Sequence, residues 1–332
     1  MIPVPVSILD LAAVGREETI AESLAGSVEL ARAAERCGYE RIWYAEHHNI
    51  SSIASSATAV LIAHVAAHTE TIRLGAGGVM LPNHSPLVIA EQFGTLETLH
   101  PGRIDLGLGR APGTDQRTWT ALRRDPRASD RFPEDVVELQ RFLGDESPVP
   151  GVRAIPGRGT QVPLYILGSS LFGAELAARL GLPYAFASHF APRFLHEAIA
   201  LYREEFRPSE QLREPYVIAG VGVIAAETVE SAAAQLEAAR RIRARALFGR
   251  GQRLGEDEIN ALLASPQAAA VDEMLACTAV GLPGEVAAYL EKFAADTGAD
   301  ELIAAHYSNT VASRLRSVEL LGDLFPAGKR SS

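Results

Sequence analysis

The chain has 332 residues, 47% of them hydrophobic, enough to bury a large core in one long α/β domain or two smaller ones. Its 31 basic and 41 acidic residues leave a formal charge of −10 with no visible basic stripe, which argues against nucleic acid or an anionic membrane as a partner. Cys37 and Cys277 are far apart and form no CxxC, which excludes a disulfide scaffold and fits a reducing cytoplasm; the N-terminus lacks a signal-peptide pattern, and no apolar run is long enough to suggest a membrane span.

In chain order, strands are predicted at 4–11, 41–48, 72–80, 103–110, 163–167, 184–189, 216–225 and 301–306. Helices are predicted between them at 19–37 (stopped by Gly38), 55–68, 86–99, 133–143, 172–180, 192–206, 229–248 and 313–324. Eight β-α units predict a closed (β/α)8 TIM barrel, a single domain over 1–332, with a doubly wound sheet as the alternative. That alternative more often shows a GxGxxG turn after the first strand, and none is there. Two connections are long, about 111–162 and 249–281, and a third at 49–53 is less clear. Long β-α connections at a barrel's open end commonly serve as lids or binding walls. The one at 249–281 carries a helix-like piece at 256–263.

Chemistry is expected where the strands end, on one face. Glu46-His47-His48 closes the second strand. Neighbours in a strand point to opposite faces, so both histidines enter one site only if the strand has ended. They are either strand-end histidines bonded to backbone or include a general base that works near pH 7. No His-x-His spacing is present, so no metal site is assigned and a metal-dependent hydrolase is disfavoured. Gly75-Ala76-Gly77-Gly78 closes the third strand, either as a bulge or as a place where a flat ligand approaches the backbone. Arg110, flanked by small residues, ends the fourth; it is a solvated turn residue or a bidentate phosphate grip. Gly168-Ser169-Ser170-Leu171-Phe172-Gly173 joins the fifth strand to a helix, giving plain serine capping or an anion site at a helix N-terminus. Arg110 and that helix start come from neighbouring strands and could share one phosphate. His189 and His306 end the sixth and eighth strands and are candidates to line a substrate pocket; His84 is a lesser candidate. His64 and His68 share an outer helix face and read as surface or packing residues.

At 43–48, 75–86, 102–115 and 165–183 the chain resembles the bacterial luciferase-like flavin monooxygenases, in the alkanal-monooxygenase-like branch. The resemblance implies a (β/α)8 barrel, a homodimer with the second and third helices at its interface, and reduced FMN delivered by a separate NAD(P)H-dependent flavin reductase. O2 would add at the flavin C4a carbon, and the resulting peroxide would attack a small organic substrate. By motif, His47 resembles the catalytic acid/base beside the flavin. Gly77-Gly78 falls at a non-proline cis peptide that backs the ring, and Ser169 where backbone nears the ring. Arg110, Ser170 and Gly173 fall at phosphate contacts, and any contact from Gly173 must be through its backbone. The chain departs from luciferase in having Gly109 where a reactive cysteine stands. It has no clear second phosphate arginine (Arg123, Arg124 and Arg131 are candidates), and its sequence at 249–281 does not correspond to the lid. Light emission is therefore not expected. The rival readings are a deazaflavin-dependent hydride-transfer enzyme on the same barrel and a flavin-binding protein without turnover.

Overall fold

The computed structural model describes residues 2–111, 115–249 and 254–325. Its strands are β1 (Val6–Asp10), β2 (Arg41–Tyr44), β3 (Arg73–Met80), β4 (Ile104–Gly109), β5 (Leu164–Gly168), β6 (Tyr184–Phe186), β7 (Val217–Ala225), β8 (Thr278–Gly281) and β9 (Glu301–His306). Its α-helices are α1 (Ile20–Cys37), α2 (Thr58–Ala66), α3 (Pro86–Leu99), α4 (Gln116–Ala121), α5 (Phe132–Leu143), α6 (Leu171–Leu180), α7 (Leu195–Glu205), α8 (Val229–Phe248), α9 (Glu256–Leu263), α10 (Ala268–Met274), α11 (Pro283–Thr297) and α12 (Val311–Gly322). All strand pairs are parallel, and β6–β7 and β9–β1 pairing closes an eight-stranded (β/α)8 barrel. The ninth strand, β8, lies outside the expected rhythm. β9 takes one edge of β7, β6 takes Val217–Ala219 on the other, and β8 continues that second edge along Gly222–Ala225.

Local signals explain the boundaries. Thr19 and Glu22 form a capping box at the start of α1, and Gly38 ends it in the left-handed region at φ 83°. Pro86 opens α3 and Gly181 (φ 64°) closes α6. Two strands stop earlier than the sequence pattern predicts. Beyond Tyr44 the Ala45 N–H still reaches the Asp10 carbonyl, but the next inter-strand link is the Glu46 carboxylate on the Met80 N–H. Beyond Phe186 the chain turns, with the Ser188 N–H on the Phe186 carbonyl. His47, His48 and His189 therefore stand on loops at the barrel mouth.

Alternate residues of each strand face the lumen or the helices. The helix-facing set (Ile42, Tyr44, Leu74, Leu106, Leu108, Val221) merges with the helices into the main core. The lumen holds a separate apolar plug of Leu9, Trp43, Ala45, Tyr165, Ala185, Ile218 and Ile303. Beneath it, at the N-terminal ends of the strands, lies a charged floor. Arg41 reaches Asp105 at 2.8 Å and Glu301 at 2.9 Å, Arg73 pairs with Asp105, and the Tyr216 hydroxyl and Ser7 donate to Glu301. Burial pulls the Arg41 guanidinium down, but the two carboxylates outweigh it and its pKa is raised. Removing one partner from such a buried pair costs about 3–5 kcal/mol. With plug and floor filled, the free end is the C-terminal mouth.

Of the long connection expected at 249–281, residues 250–253 lie outside the described residues, and 254–281 form a packed unit. Ile259 of α9 and Val271 of α10 bury against Ala244 of α8, and Arg241–Glu256 (2.5 Å), Arg245–Glu256 (2.6 Å) and Arg240–Asp272 (2.9 Å) tie the helices together.

Candidate active site at the barrel mouth

The Glu46-His47-His48 corner separates by strand parity. Arg41, Trp43 and Ala45 face the lumen, and His47 follows them; Glu46 and His48 lie in the opposite phase. Glu46 is buried. Its Oε1 accepts from Nε2 of both His48 and His84 at 2.8 Å, and its Oε2 accepts the Met80 N–H at 3.0 Å. Burial pushes the Glu46 carboxyl up, but these donors outweigh it and hold it below the ordinary range. The same bond raises His48, against its partial burial. Glu46 thus clamps the end of β2 to the end of β3 and to the turn before α3. His47 is anchored by its own N–H on the Ser55 carbonyl at 3.2 Å and lies within electrostatic reach of His189.

The Gly77–Gly78 peptide is cis. A Cβ on Gly77 would stand 2.7 Å from Leu9 Cδ1 and 2.8 Å from Trp43 Cβ, and one on Gly78 would stand 2.8 Å from the Gly107 carbonyl oxygen. No side chain fits at either place, so this part of the mouth is bare backbone, with the β3–β4 register shifting between Ala76 and Val79.

Ser170 is the N-cap of α6, yet its side chain makes no capping bond; its carbonyl accepts from the Tyr184 hydroxyl at 3.1 Å. Leu171, Phe172 and Gly173 are the first helical residues, whose N–H groups have no partner inside the helix. A Cβ on Gly173 would come 3.2 Å from the Tyr184 ring, so glycine lets the turn pack closely. The Arg110 guanidinium lies 3.9 Å from the centre of the Phe172 ring, which brings the end of β4 to the first turn of α6. Arg110 and the first turn of α6, whose N-cap Ser170 makes no capping bond, thus meet at one corner, and such a donor set fits a phosphate dianion. Ser169 immediately precedes it. Of the candidates for a second arginine, Arg124 donates to the Asn83 carbonyl (2.9 Å) and Arg131 stands 3.7 Å from Asp135. The Ser129 hydroxyl donates to the Arg110 carbonyl and seats the 126–131 turn against this corner.

His189 is 8% exposed, and its Nδ1 has no hydrogen-bond partner among the described residues. Burial, then Arg243, then His47 push its pKa down to about 3, so the ring is neutral. Gly220 makes room for it, since a Cβ there would lie 2.5 Å from Nδ1. Gly222 does the same for Tyr307, whose hydroxyl donates to the His189 carbonyl. His306 is a correction. Its Nδ1 bonds Ser317 of α12 at 2.8 Å, so it belongs to the helix layer. Glu301 and Ile303 are the lumen-facing phase of β9, and Tyr307, not His306, continues it into the mouth. Strand parity carried that signal. Arg243, Phe172 and the clamp role of Glu46 had none, because each depends on contacts between distant segments. Among the described residues no group of His, Cys, Asp and Glu is placed to hold a metal ion, and no helix is long and apolar enough to cross a membrane.

The parallel barrel carries Arg110 beside a helix N-terminus, a glycine wall and a histidine at one mouth, and comparison with known proteins gives the family. The luciferase-like monooxygenase family model matches residues 4–301, and the chain belongs to that family. An uncharacterized Bacillus subtilis protein, YvbT, is 50% identical over 96% of both chains. A luciferase-like monooxygenase of Escherichia coli K12 is 46% identical over 96% of both. The crystal structure of apo-MsnO8 superposes with a TM-score of 0.85 at 39% identity, covering 96% of this chain and 98% of that one. An N-acetyl-S-alkylcysteine monooxygenase of B. subtilis is 44% identical over 54% of this chain and 56% of its own. At 16% identity and a TM-score of 0.71, a type II Baeyer–Villiger monooxygenase in complex with FMN (97% of each chain) and an F420-dependent secondary alcohol dehydrogenase (98% of each) share the fold. The chain is thus a flavin-dependent monooxygenase of the luciferase-like class.

Proposed function

We propose that the protein is an FMNH2- and O2-dependent monooxygenase of a small organic substrate, taking reduced FMN from a separate NAD(P)H-dependent flavin reductase. The observation that carries this reading is the α6 corner, where Arg110, the Ser170 hydroxyl and the N–H groups up to Gly173 meet in the right chemistry for a terminal phosphate. In this reading the bare Gly77–Gly78 backbone lies against the flavin ring, with the Ser169 backbone near it. Bound reduced FMN supplies the electrons that activate O2. His47 moves a proton to or from the reacting oxygen or the substrate. The packed unit at 254–281 walls the mouth against water. A cytoplasmic homodimer through α2 and α3 accords with their exposed apolar residues, Val60 (71% exposed), Val88 (43%) and Leu99 (63%).

A deazaflavin-dependent hydride transferase is the second reading, because the same barrel holds F420 in one of the compared structures and FMN in another. Anaerobic titration with FMNH2 and, separately, with reduced F420 tests the choice, followed by mixing with O2. Tight FMNH2 binding and reoxidation slower than that of free FMNH2 are expected. Preference for reduced F420 would overturn the proposal, as would reoxidation at the free rate.

A further inference from the structure

The register of the sheet sets Arg110 beside α6. Gly109, just before it, pairs with Met80 of β3 on one side and with Leu167 of β5 on the other, and β5 runs on through Ser169 and Ser170 into the first turn of α6. The Ser129 hydroxyl donates to the Arg110 carbonyl and fixes the backbone there. The Arg110 side chain is exposed, yet it crosses to α6 and lays its guanidinium 3.9 Å from the centre of the Phe172 ring. That is an unfavourable place for a cation on its own. The N-terminus of a helix is its positive end, and the N–H groups of its first turn have no acceptor within the helix. Among the described residues no carboxylate lies within ion-pair distance of Arg110, and the segments outside them contain no Asp or Glu in sequence. What meets the guanidinium is Phe172, a half-buried residue of the first turn that also packs against the main core. Phenylalanine is a poorer helix former than leucine or alanine, so helix propensity does not account for it.

We infer that Phe172 is the positioning residue of the phosphate corner: its ring holds the Arg110 guanidinium beside the α6 N-terminus without neutralising it. The inference rests on the flavin-site reading and names the residue that sets how strongly that site holds a phosphate. An acidic side chain in the same place would also hold Arg110, but it would cancel the charge and occupy the N–H groups that grip a phosphate. A phenyl ring attracts the guanidinium through its π face, an attraction that needs none of the five N–H donors in the guanidinium plane. The charge and the donors both stay available to a ligand. The arginine side chain carries much rotamer entropy, and a ligand that had to order all of it would bind less tightly; the contact with Phe172 orders part of it beforehand. A bound phosphate would then offset the two positive groups, guanidinium and helix end, that the ring keeps together.

The test is calorimetric titration of the full chain with FMN and with riboflavin, which has the same ring system and no phosphate. Phe172→Leu and Phe172→Met keep an apolar side chain against the core and remove the π face. Each is expected to weaken FMN about fivefold and to leave riboflavin unchanged, while Phe172→Tyr, which keeps the face, binds FMN as the native chain does. On an Arg110→Ala background, Phe172→Leu is expected to change FMN affinity by less than about twofold, because the group it positions is gone. Equal weakening of FMN and riboflavin would overturn the inference, as would native FMN affinity in the folded Leu and Met variants, or a loss that persists in full without Arg110. If Arg110→Ala itself left FMN binding unchanged, the phosphate corner would fall and this inference with it. A loss in Arg110→Ala with none in Phe172→Leu would overturn the role of Phe172 alone.

Discussion

His306 offers a perturbation whose size follows from the structure and which leaves the mouth alone. Its ring is 8% exposed, bonded through Nδ1 to Ser317, and burial, with Arg314 adding to it, pushes its pKa down to about 3. An unfolded histidine titrates near 6.5. The folded value is depressed, so the unfolded chain binds the proton first. The stability that the neutral ring represents is complete above about pH 6.5 and is lost progressively as pH falls toward 3. Between pH 7 and pH 5 the linkage integral gives a loss of about 2 kcal/mol for one such histidine, and about twice that with His189 included. His306→Asn retains a short polar group for Ser317 but removes the titration. Urea denaturation of both proteins at pH 7 and pH 5 measures the effect as a difference of differences, in which all other acid-sensitive groups cancel. The variant is expected to lose about 2 kcal/mol less than the native chain over that interval. If the two lost the same stability, His306 would not be held neutral and its buried placement against α12 would be wrong.

Other consequences can be measured directly. His47→Ala is expected to leave FMNH2 binding within about threefold while uncoupling O2 consumption from substrate oxygenation by about 10²-fold or more, and retained coupling would remove His47 from proton transfer. Arg110→Ala and Ser170→Ala should each weaken FMN by about tenfold but leave riboflavin, which lacks the phosphate, unchanged; equal losses for both ligands would refute the phosphate corner. Glu46→Gln should cost about 2 kcal/mol, because a donor is forced among the His48, His84 and Met80 donors. A melting temperature unchanged from the native protein would refute that clamp. Gly220→Ala puts a methyl 2.5 Å from His189 Nδ1 and should displace the ring, lowering kcat more than FMN affinity; an unaffected enzyme would mean that His189 sits elsewhere.

The barrel was legible because its β-α rhythm repeats in sequence, and eight of the nine strands fall where apolar runs end in turn residues. β8 escaped because four residues, Thr278–Gly281, are too short to show a period, and they pair outside that rhythm. α11 was passed over despite clear signals. Pro283 opens it, Glu285 accepts the Leu282 N–H at 2.8 Å, and Gly298 ends it in the left-handed region. The motif residues of the mouth were legible one by one, since glycine pairs and strand-end histidines mark backbone needs and polar ends. Their partners were not. Arg243 is one of four arginines in the C-terminal half of α8, and nothing in the local sequence separates the one facing the mouth from the three that face acids. His306 was misassigned because a strand-end histidine carries no mark of its face until the register of β9 is known.

The lumen also shows why stability and function divide along the barrel axis. At the floor Arg41, Arg73, Asp105, Tyr165, Tyr216 and Glu301 are bonded to one another. Near the mouth the inward positions become glycine on three strands: Gly77 on β3, Gly107 on β4, and Gly220 and Gly222 on β7. Each of these glycines is already pressed by a neighbour, so they do not simply hollow out the barrel. They let backbone, His189 and Tyr307 take positions that a Cβ would forbid. Stability therefore belongs to the floor, and substrate specificity is to be sought at the mouth, where His47, His189 and Tyr307 stand, rather than among the residues that hold the barrel together.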